Sequence, residues 1–153
     1  MSPNPVPKAW LYAPGSLTKQ LRRVCAGELH VDVQAQGWVR AEVREARALG
    51  VCLGVRLWRR EVILRCENTP YVHAVSFSTP AGAQVLGLRR LGLRPLGNVL
   101  FVRGADCAQR GVVRRFARPA PGRHWRRWAL FVVRGHPVVL YEDFLPALPP
   151  RRG

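Results

Sequence analysis

The feature that most constrains this fold is a strand pattern that places a charge on an apolar face. The segment reads GVRLWRREVILRC, residues 54–66. Side chains alternate between the two faces of a strand, so Arg60 shares its face with Trp58 and with three apolar residues. An arginine keeps its charge in such surroundings and therefore requires an anion beside it. The pattern predicts a buried strand with either a structural carboxylate or an anionic ligand next to Arg60.

A second apolar strand, PVVLYEDFLP near the carboxyl end, carries two acids. Glu142 falls on the face of Val138 and Leu140, and Asp143 falls on the opposite face. A carboxylate in so apolar a strand also requires a partner. Two interpretations stay open from the pattern alone. Arg60 and Glu142 form a structural ion pair with each other, or they line a ligand pocket from opposite sides.

Length and composition indicate one globular domain. The chain has 153 residues, of which 48% are hydrophobic, enough for a substantial core. No apolar run reaches the roughly 18 residues that a membrane span needs, and the start, MSPNPVPKAW, lacks the order of a signal peptide. We therefore expect a cytoplasmic protein without an integral membrane segment. The four cysteines show neither CxxC pairs nor nearby histidine spacing, so we expect reduced thiols and no metal site.

The formal net charge of +16 fits nucleic acid, an anionic membrane surface or a small anionic substrate. The arginines are spread along the chain in ones and twos, which favours a merely solvated basic surface, and the functional alternative is that this surface steers a small anion. RNA-binding sheets expose aromatic residues among basic ones. The WRRW segment, residues 125–128, shows this pattern weakly and fits a strand edge with solvated arginines equally well. We expect no nucleic-acid partner, and salt-sensitive retention on DNA would be the evidence against this expectation.

Periodicity and end signals predict an α+β fold with a mainly antiparallel sheet. One helix follows the N-cap Ser16 and stops at Gly27, and a second follows Thr79 and stops at Gly92. The predicted strands are residues 29–36, 38–46, 54–66, 71–78, 98–102, 112–118, 125–134 and 137–145. This order lacks regular βαβ alternation, which is typical of α+β rather than α/β proteins.

Four motifs resemble the chorismate lyase family. They are GSLTKQL, WRREVIL, LRRLGLRPLGNVLF and GHPVVLYEDFLPALP, in family order and at family-like spacing. The resemblance implies a chorismate lyase-like domain over residues 10–149, between a flexible Pro-rich lead-in at 1–9 and a basic tail at 150–153. It also implies a single antiparallel β-sheet with flanking helices that enclose an internal ligand site.

The function that the resemblance implies is the conversion of chorismate into 4-hydroxybenzoate and pyruvate, the first step of bacterial ubiquinone biosynthesis. Loss of the enolpyruvyl group and a ring proton makes the ring aromatic, so the reaction is downhill and needs no metal or other cofactor. We expect a monomer whose partners are the substrate chorismate and the product 4-hydroxybenzoate.

The resemblance also assigns roles to five residues. Arg60 would hold the ring carboxylate, a contact that suits its planar fork, and Glu142 would face the ring hydroxyl as a base or as an orienting group. Leu17 stands where methionine is common and would form an apolar wall, and Leu96 in the PLG turn would contact the ring. His73 stands where many members carry an arginine, so we expect a weaker, pH-dependent contact to a substrate carboxylate.

A non-catalytic sensor is the alternative function. The same fold serves as the effector-binding domain of a family of bacterial transcription regulators, which would bind a small aromatic acid without cleaving it. Only about ten residues precede the predicted fold, without a winged-helix segment, and this favours the enzyme.

Overall fold

The computed structural model describes residues 8–13, 16–100, 106–116 and 123–150. The strands are β1 (Leu29–Arg40), β2 (Arg56–Cys66), β3 (Thr69–Ser78), β4 (Asp106–Phe116), β5 (Arg123–Val133) and β6 (His136–Phe144). The helices are α1 (Lys8–Leu11), α2 (Leu17–Val24), α3 (Val43–Leu49), α4 (Pro80–Val85), the 3₁₀ helix η1 (Leu88–Arg90) and α5 (Gly97–Leu100). Among the described residues, none of these helices has the length and apolar character to cross a bilayer.

The strands form one antiparallel sheet in the order β1-β2-β3-β6-β5-β4. This confirms the predicted α+β class with a single antiparallel sheet. We call the side of the sheet that carries Arg60 the cavity face and the opposite side the far face. Because side chains alternate along a strand, neighbouring residues of one strand point to different faces.

Helices cover the cavity face at its two ends. At one end, α1 and α2 pack on the sheet through a cluster that includes Trp10, Leu21 and Phe144. At the other end, α4, η1 and α5 form a second cluster with Val133 and Val138 of the sheet. The apolar surface buried at each end holds these helices in place and leaves a space between them.

The far face is covered in part by α3. Leu49 of this helix packs in a cluster with Phe77, Val139 and Tyr141 of the sheet. Gly50 ends α3 with a left-handed backbone, φ 68°, a conformation that glycine adopts without strain.

Several predicted elements differ from the structure. Residues 98–100 were expected to begin a strand, but they belong to α5, because the carbonyls of Pro95 and Leu96 accept hydrogen bonds from the amides that follow. The predicted strand over residues 38–46 ends at Arg40, and α3 follows it. The second predicted helix divides into α4 and η1 at Gly87, where φ is 67°. Parts of other predictions, at residues 1–7, 101–102, 117–118 and 151–153, lie outside the described residues.

Two of the cysteines form a disulfide, which corrects the expectation of reduced thiols. Cys25 follows α2 and Cys66 ends β2, and they are 41 residues apart in the chain. Pairing of Leu29 with Cys66 brings the end of α2 to the end of β2, a juxtaposition that cysteine spacing alone cannot indicate. The bond ties the helix at the edge of the cavity to the strand that carries Arg60, whereas Cys52 is free and exposed.

Candidate active site

A cavity lies between the cavity face of the sheet and the helices at its two ends. Its walls come from strands β1, β2, β3, β5 and β6, from the first turn of α2, and from α5 with the segment that leads into it. The empty space between them, counted together with its opening to solvent, is about 730 Å³. The lining is mostly apolar, and its charged members among the described residues are Arg60, Arg127 and Glu142.

Arg60 presents an unused hydrogen-bond donor in the cavity wall. The residue is only 4% exposed, and its Nη2 donates to the carbonyl of Arg94 at 3.1 Å. Its Nη1 is buried and has no hydrogen-bond partner within the part of the chain that the structure describes. Burial lowers the pKa of Arg60, but a guanidinium remains charged at neutral pH. A buried cation with a free donor favours an anionic ligand here.

Glu142 pairs with Arg127 and not with Arg60. The two residues are register partners in β5 and β6, and Nε and Nη2 of Arg127 lie 2.9 and 2.8 Å from Oε1 of Glu142. The interpretation that Arg60 and Glu142 form a structural ion pair is therefore wrong. Among the described residues no hydrogen bond reaches Oε2 of Glu142, which leaves this oxygen for a ligand.

Arg127 is the charged lining residue that sequence reasoning missed. We read the WRRW segment as a strand edge with solvated arginines or as a weak sign of RNA binding, yet Arg126 and Arg127 are 6% and 7% exposed. The sequence did contain a signal for this pairing. Two adjacent arginines lie in one strand of a predicted hairpin, and two adjacent acids lie opposite them in the other strand. Arg126 meets Asp143 on the far face, and Arg127 meets Glu142 on the cavity face.

The structure brings four of the five predicted site residues together. Leu17 lines the cavity from the first turn of α2, which Ser16 caps through a hydrogen bond from the amide of Lys19. Leu96 lines it from the segment before α5. With Arg60 and Glu142 these two leucines line a mostly apolar space whose charges come from Arg60 and from the pair of Arg127 and Glu142.

His73 lies on the far face, which corrects the prediction that it contacts a ligand in this cavity. Its Nε2 is 2.6 Å from Oε2 of Glu61, and its Nδ1 is 3.6 Å from Oδ2 of Asp143. Arg59 pairs with Glu61, and Arg126 pairs with Asp143, so the five residues form a charge network across four strands. The nearby carboxylate of Asp143 and that of Glu61 favour the charged imidazolium and raise the pKa of His73 against the opposing effect of burial.

This network predicts a pH-dependent stability. Because the pKa of His73 is raised on folding, protonated His73 stabilises the protein fully below its unfolded pKa of roughly 6.5, and this contribution disappears as pH rises through the folded pKa. We expect His73→Gln to cost about 1 to 3 kcal/mol near pH 6, as for a hydrogen bond between charged groups. The cost should shrink as pH rises above roughly 6.5 and passes through the raised pKa of folded His73.

The measurement is thermal unfolding of wild type and His73→Gln across this pH range. Lys19→Gln, a change of one exposed charge on α2, serves as the control whose effect should not vary in the same way. A His73→Gln difference that stays constant with pH would show that the imidazolium does not stabilise the network.

No group of three or more His, Cys, Asp or Glu side chains within the described ranges is arranged to hold a metal ion. The α+β fold, one antiparallel sheet with helices at both ends of one face, is shared with effector domains of transcription regulators. The C-terminal domain of the histidine utilization repressor from Pseudomonas syringae pv. tomato superimposes with a TM-score of 0.68, 13% identity and coverage of 82% of this chain and 97% of that one. The effector domain of PhnF from Mycobacterium smegmatis superimposes with a TM-score of 0.66 and 14% sequence identity. The match covers 85% of this chain and 88% of that one.

The family follows from sequence comparison. The model of the family described as Chorismate lyase matches residues 1–151. A chorismate pyruvate-lyase from Serratia proteamaculans is 33% identical over 151 residues, 95% of this chain and 83% of the relative. A probable chorismate pyruvate-lyase from Methylococcus capsulatus is 33% identical over 156 residues, which cover 92% of this chain and 95% of the relative. This chain belongs to the chorismate lyase family, and the predicted family is thereby confirmed.

Proposed function

We propose that this protein cleaves chorismate to 4-hydroxybenzoate and pyruvate. The observation that carries the proposal is a buried Arg60 with a free donor and a Glu142 with a free oxygen in the wall of one apolar cavity. The relatives named chorismate pyruvate-lyase support this choice of substrate. The resemblance noted above places this reaction at the start of ubiquinone biosynthesis.

The sheet sets a spacing that suits an aromatic hydroxy acid. Arg60 pairs with Ser76, and Glu142 pairs with Ala74, so the two charged residues lie two strands apart and are offset by two residues. With strands about 4.8 Å apart and a rise of about 3.4 Å per residue, their Cα atoms are separated by roughly 12 Å. Two inward-pointing side chains then leave room for one six-membered ring between them, with a carboxylate at Arg60 and a hydroxyl at Glu142.

Each lining group has a role in this proposal. Arg60 binds the ring carboxylate through a charge-assisted hydrogen bond, and Oε2 of Glu142 contacts the ring hydroxyl. Leu17 and Leu96 pack on the ring and exclude water, which strengthens both polar contacts. The bond between a ring carbon and the enolpyruvyl oxygen breaks, one ring hydrogen leaves as a proton, and the released enol takes up a proton to become pyruvate. Positioning of the reactive pose supplies a large part of the acceleration.

Further parts of the proposal concern the setting of the reaction. Aromatisation of the ring drives the cleavage without an oxidant or reductant, so the proposed enzyme uses no cofactor. We also propose that it acts as a monomer in the cytoplasm and that its positive charge of +16 draws the dianionic substrate towards the cavity.

The test is incubation of purified protein with chorismate while both products are measured. We expect 4-hydroxybenzoate and pyruvate in equal amounts, at a rate that a chelator does not change. The test variant Arg60→Met should abolish most turnover. Its matched control is Arg59→Met, which alters the neighbouring arginine on the far face. Tight binding of 4-hydroxybenzoate without either product would instead identify a sensor.

A further inference from the structure

Arg127 is a buried cavity residue to which neither the sequence motifs nor the proposed contacts assign a role. We propose that Arg127 is a positioning residue: it holds one oxygen of Glu142, leaves the other for the substrate, and fixes this arrangement to the segment that precedes α2. The inference rests on the proposed function, because it concerns how Glu142 meets chorismate.

The contact between Arg127 and Glu142 differs from that of the neighbouring ion pair. Arg126 and Asp143 form a closed fork, with Nε 2.7 Å from Oδ1 and Nη2 2.9 Å from Oδ2, so that both carboxylate oxygens are engaged. Arg127 directs Nε and Nη2 to the same oxygen, Oε1 of Glu142. The pair on the far face therefore saturates its carboxylate, whereas the pair on the cavity face holds its carboxylate by one oxygen only.

The remaining donor of Arg127 holds the chain near the amino end. Its Nη1 donates to the carbonyls of Trp10 and Ala13 at 3.1 and 3.2 Å. Trp10 is fully buried, and its indole Nε1 donates to the carbonyl of Pro149 at 2.9 Å. One guanidinium thus joins the carboxylate in the cavity wall to the segment that leads into α2, whose residues Leu17 and Thr18 line the same cavity.

A lysine cannot reproduce this arrangement. Its single ammonium keeps the charge but has no planar fork, so it cannot reach Oε1 and both carbonyls in the same geometry. Glu142 then rotates away from its productive orientation, and a displacement of about 1 Å can reduce the rate of an oriented reaction by roughly 100-fold. Affinity for 4-hydroxybenzoate is set chiefly by Arg60 and changes less.

The experiment compares Arg127→Lys with Arg126→Lys in the full chain. The two arginines are adjacent, equally buried and paired with adjacent acids, so both variants should lose similar thermal stability. We expect Arg127→Lys to lower kcat by roughly 10- to 100-fold. Arg126→Lys should keep kcat within about threefold of the wild type. Both variants should keep the Kd for 4-hydroxybenzoate within about threefold, a change under 1 kcal/mol.

A double-mutant cycle provides the second measurement. If Arg127 acts through Glu142, then adding Arg127→Lys to Glu142→Gln should lower kcat much less than it does in the wild type. Should Arg127→Lys fail to fold by circular dichroism, Arg127→Gln, which retains an amide donor for Oε1, replaces it. Equal kcat values for the Arg127 and Arg126 variants, or additive losses in the cycle, would overturn the positioning role while the proposed function stands. Absence of turnover by the wild type would overturn the proposed function itself.

Discussion

Glu142→Gln should lower kcat for chorismate cleavage by at least roughly 100-fold, the lower end of what a positioned acid–base group contributes. Glutamine keeps the shape of the side chain but cannot accept a proton, and it no longer carries the charge that Arg127 holds. Binding of 4-hydroxybenzoate should weaken less, because the contact that we propose for the product carboxylate is with Arg60. Steady-state kinetics with chorismate and equilibrium titration with 4-hydroxybenzoate measure the two effects separately.

The matched control is Asp143→Asn, one residue along β6. Asp143 is as buried as Glu142, at 5% against 6% exposure, and also pairs with an arginine, but it lies on the far face. We expect this variant to lose stability and keep kcat. A loss of only a few fold in Glu142→Gln would indicate that Glu142 orients the hydroxyl and does not accept a proton. Equal kinetic losses in both variants would show that the effect is structural.

Arg60→Lys should weaken binding of both substrate and product by about 1 to 3 kcal/mol, the range for a lost contact between charged groups. Lysine keeps the positive charge but loses the planar fork, and its ammonium cannot hold the Arg94 carbonyl and a carboxylate in the same way. In dissociation constants the change is roughly 5- to 150-fold. Titration with 4-hydroxybenzoate measures it without interference from turnover.

Arg59→Lys is the comparison for this experiment. Arg59 precedes Arg60 in β2, faces the opposite side of the sheet and pairs with Glu61. It should leave both dissociation constants unchanged. If Arg60→Lys lowered only the melting temperature while kinetics and product binding matched those of Arg59→Lys, Arg60 would be a structural residue.

Alternation within a single strand was enough to predict two of the buried charges, although it did not identify Arg126 and Arg127. It placed Arg60 and Glu142 on apolar faces, and both are less than 7% exposed. It could not identify the partner of Glu142, because partners depend on the register between strands. That register follows from the tight turn between β5 and β6, where Arg134 and Gly135 have φ values of 51° and 81° and Arg127 comes to stand opposite Glu142.

His73 shows why the face of a residue is harder to predict than its burial. Next to the turn, Cys66 pairs with Thr69 and Arg65 with Pro70, a register that would place His73 opposite Val62 on the cavity face. A bulge follows, so that Leu64 pairs with Val72 and His73 with Ile63. One extra residue in β3 therefore moves His73 to the far face. No residue type in the YVHAV segment marks that bulge.

The two ion pairs between β5 and β6 also favour the correct register of these two strands. If β6 slipped by one residue in either direction, one arginine would still meet an acid, but the other arginine and the other acid would be buried opposite a tyrosine, a phenylalanine or a tryptophan. Each broken buried pair costs roughly 3 to 5 kcal/mol, a large part of the stability of a domain of this size. The acid left without an arginine is Glu142 for a slip in one direction and Asp143 for a slip in the other. Glu142, which we propose contacts the substrate, therefore also helps to fix the register of the hairpin.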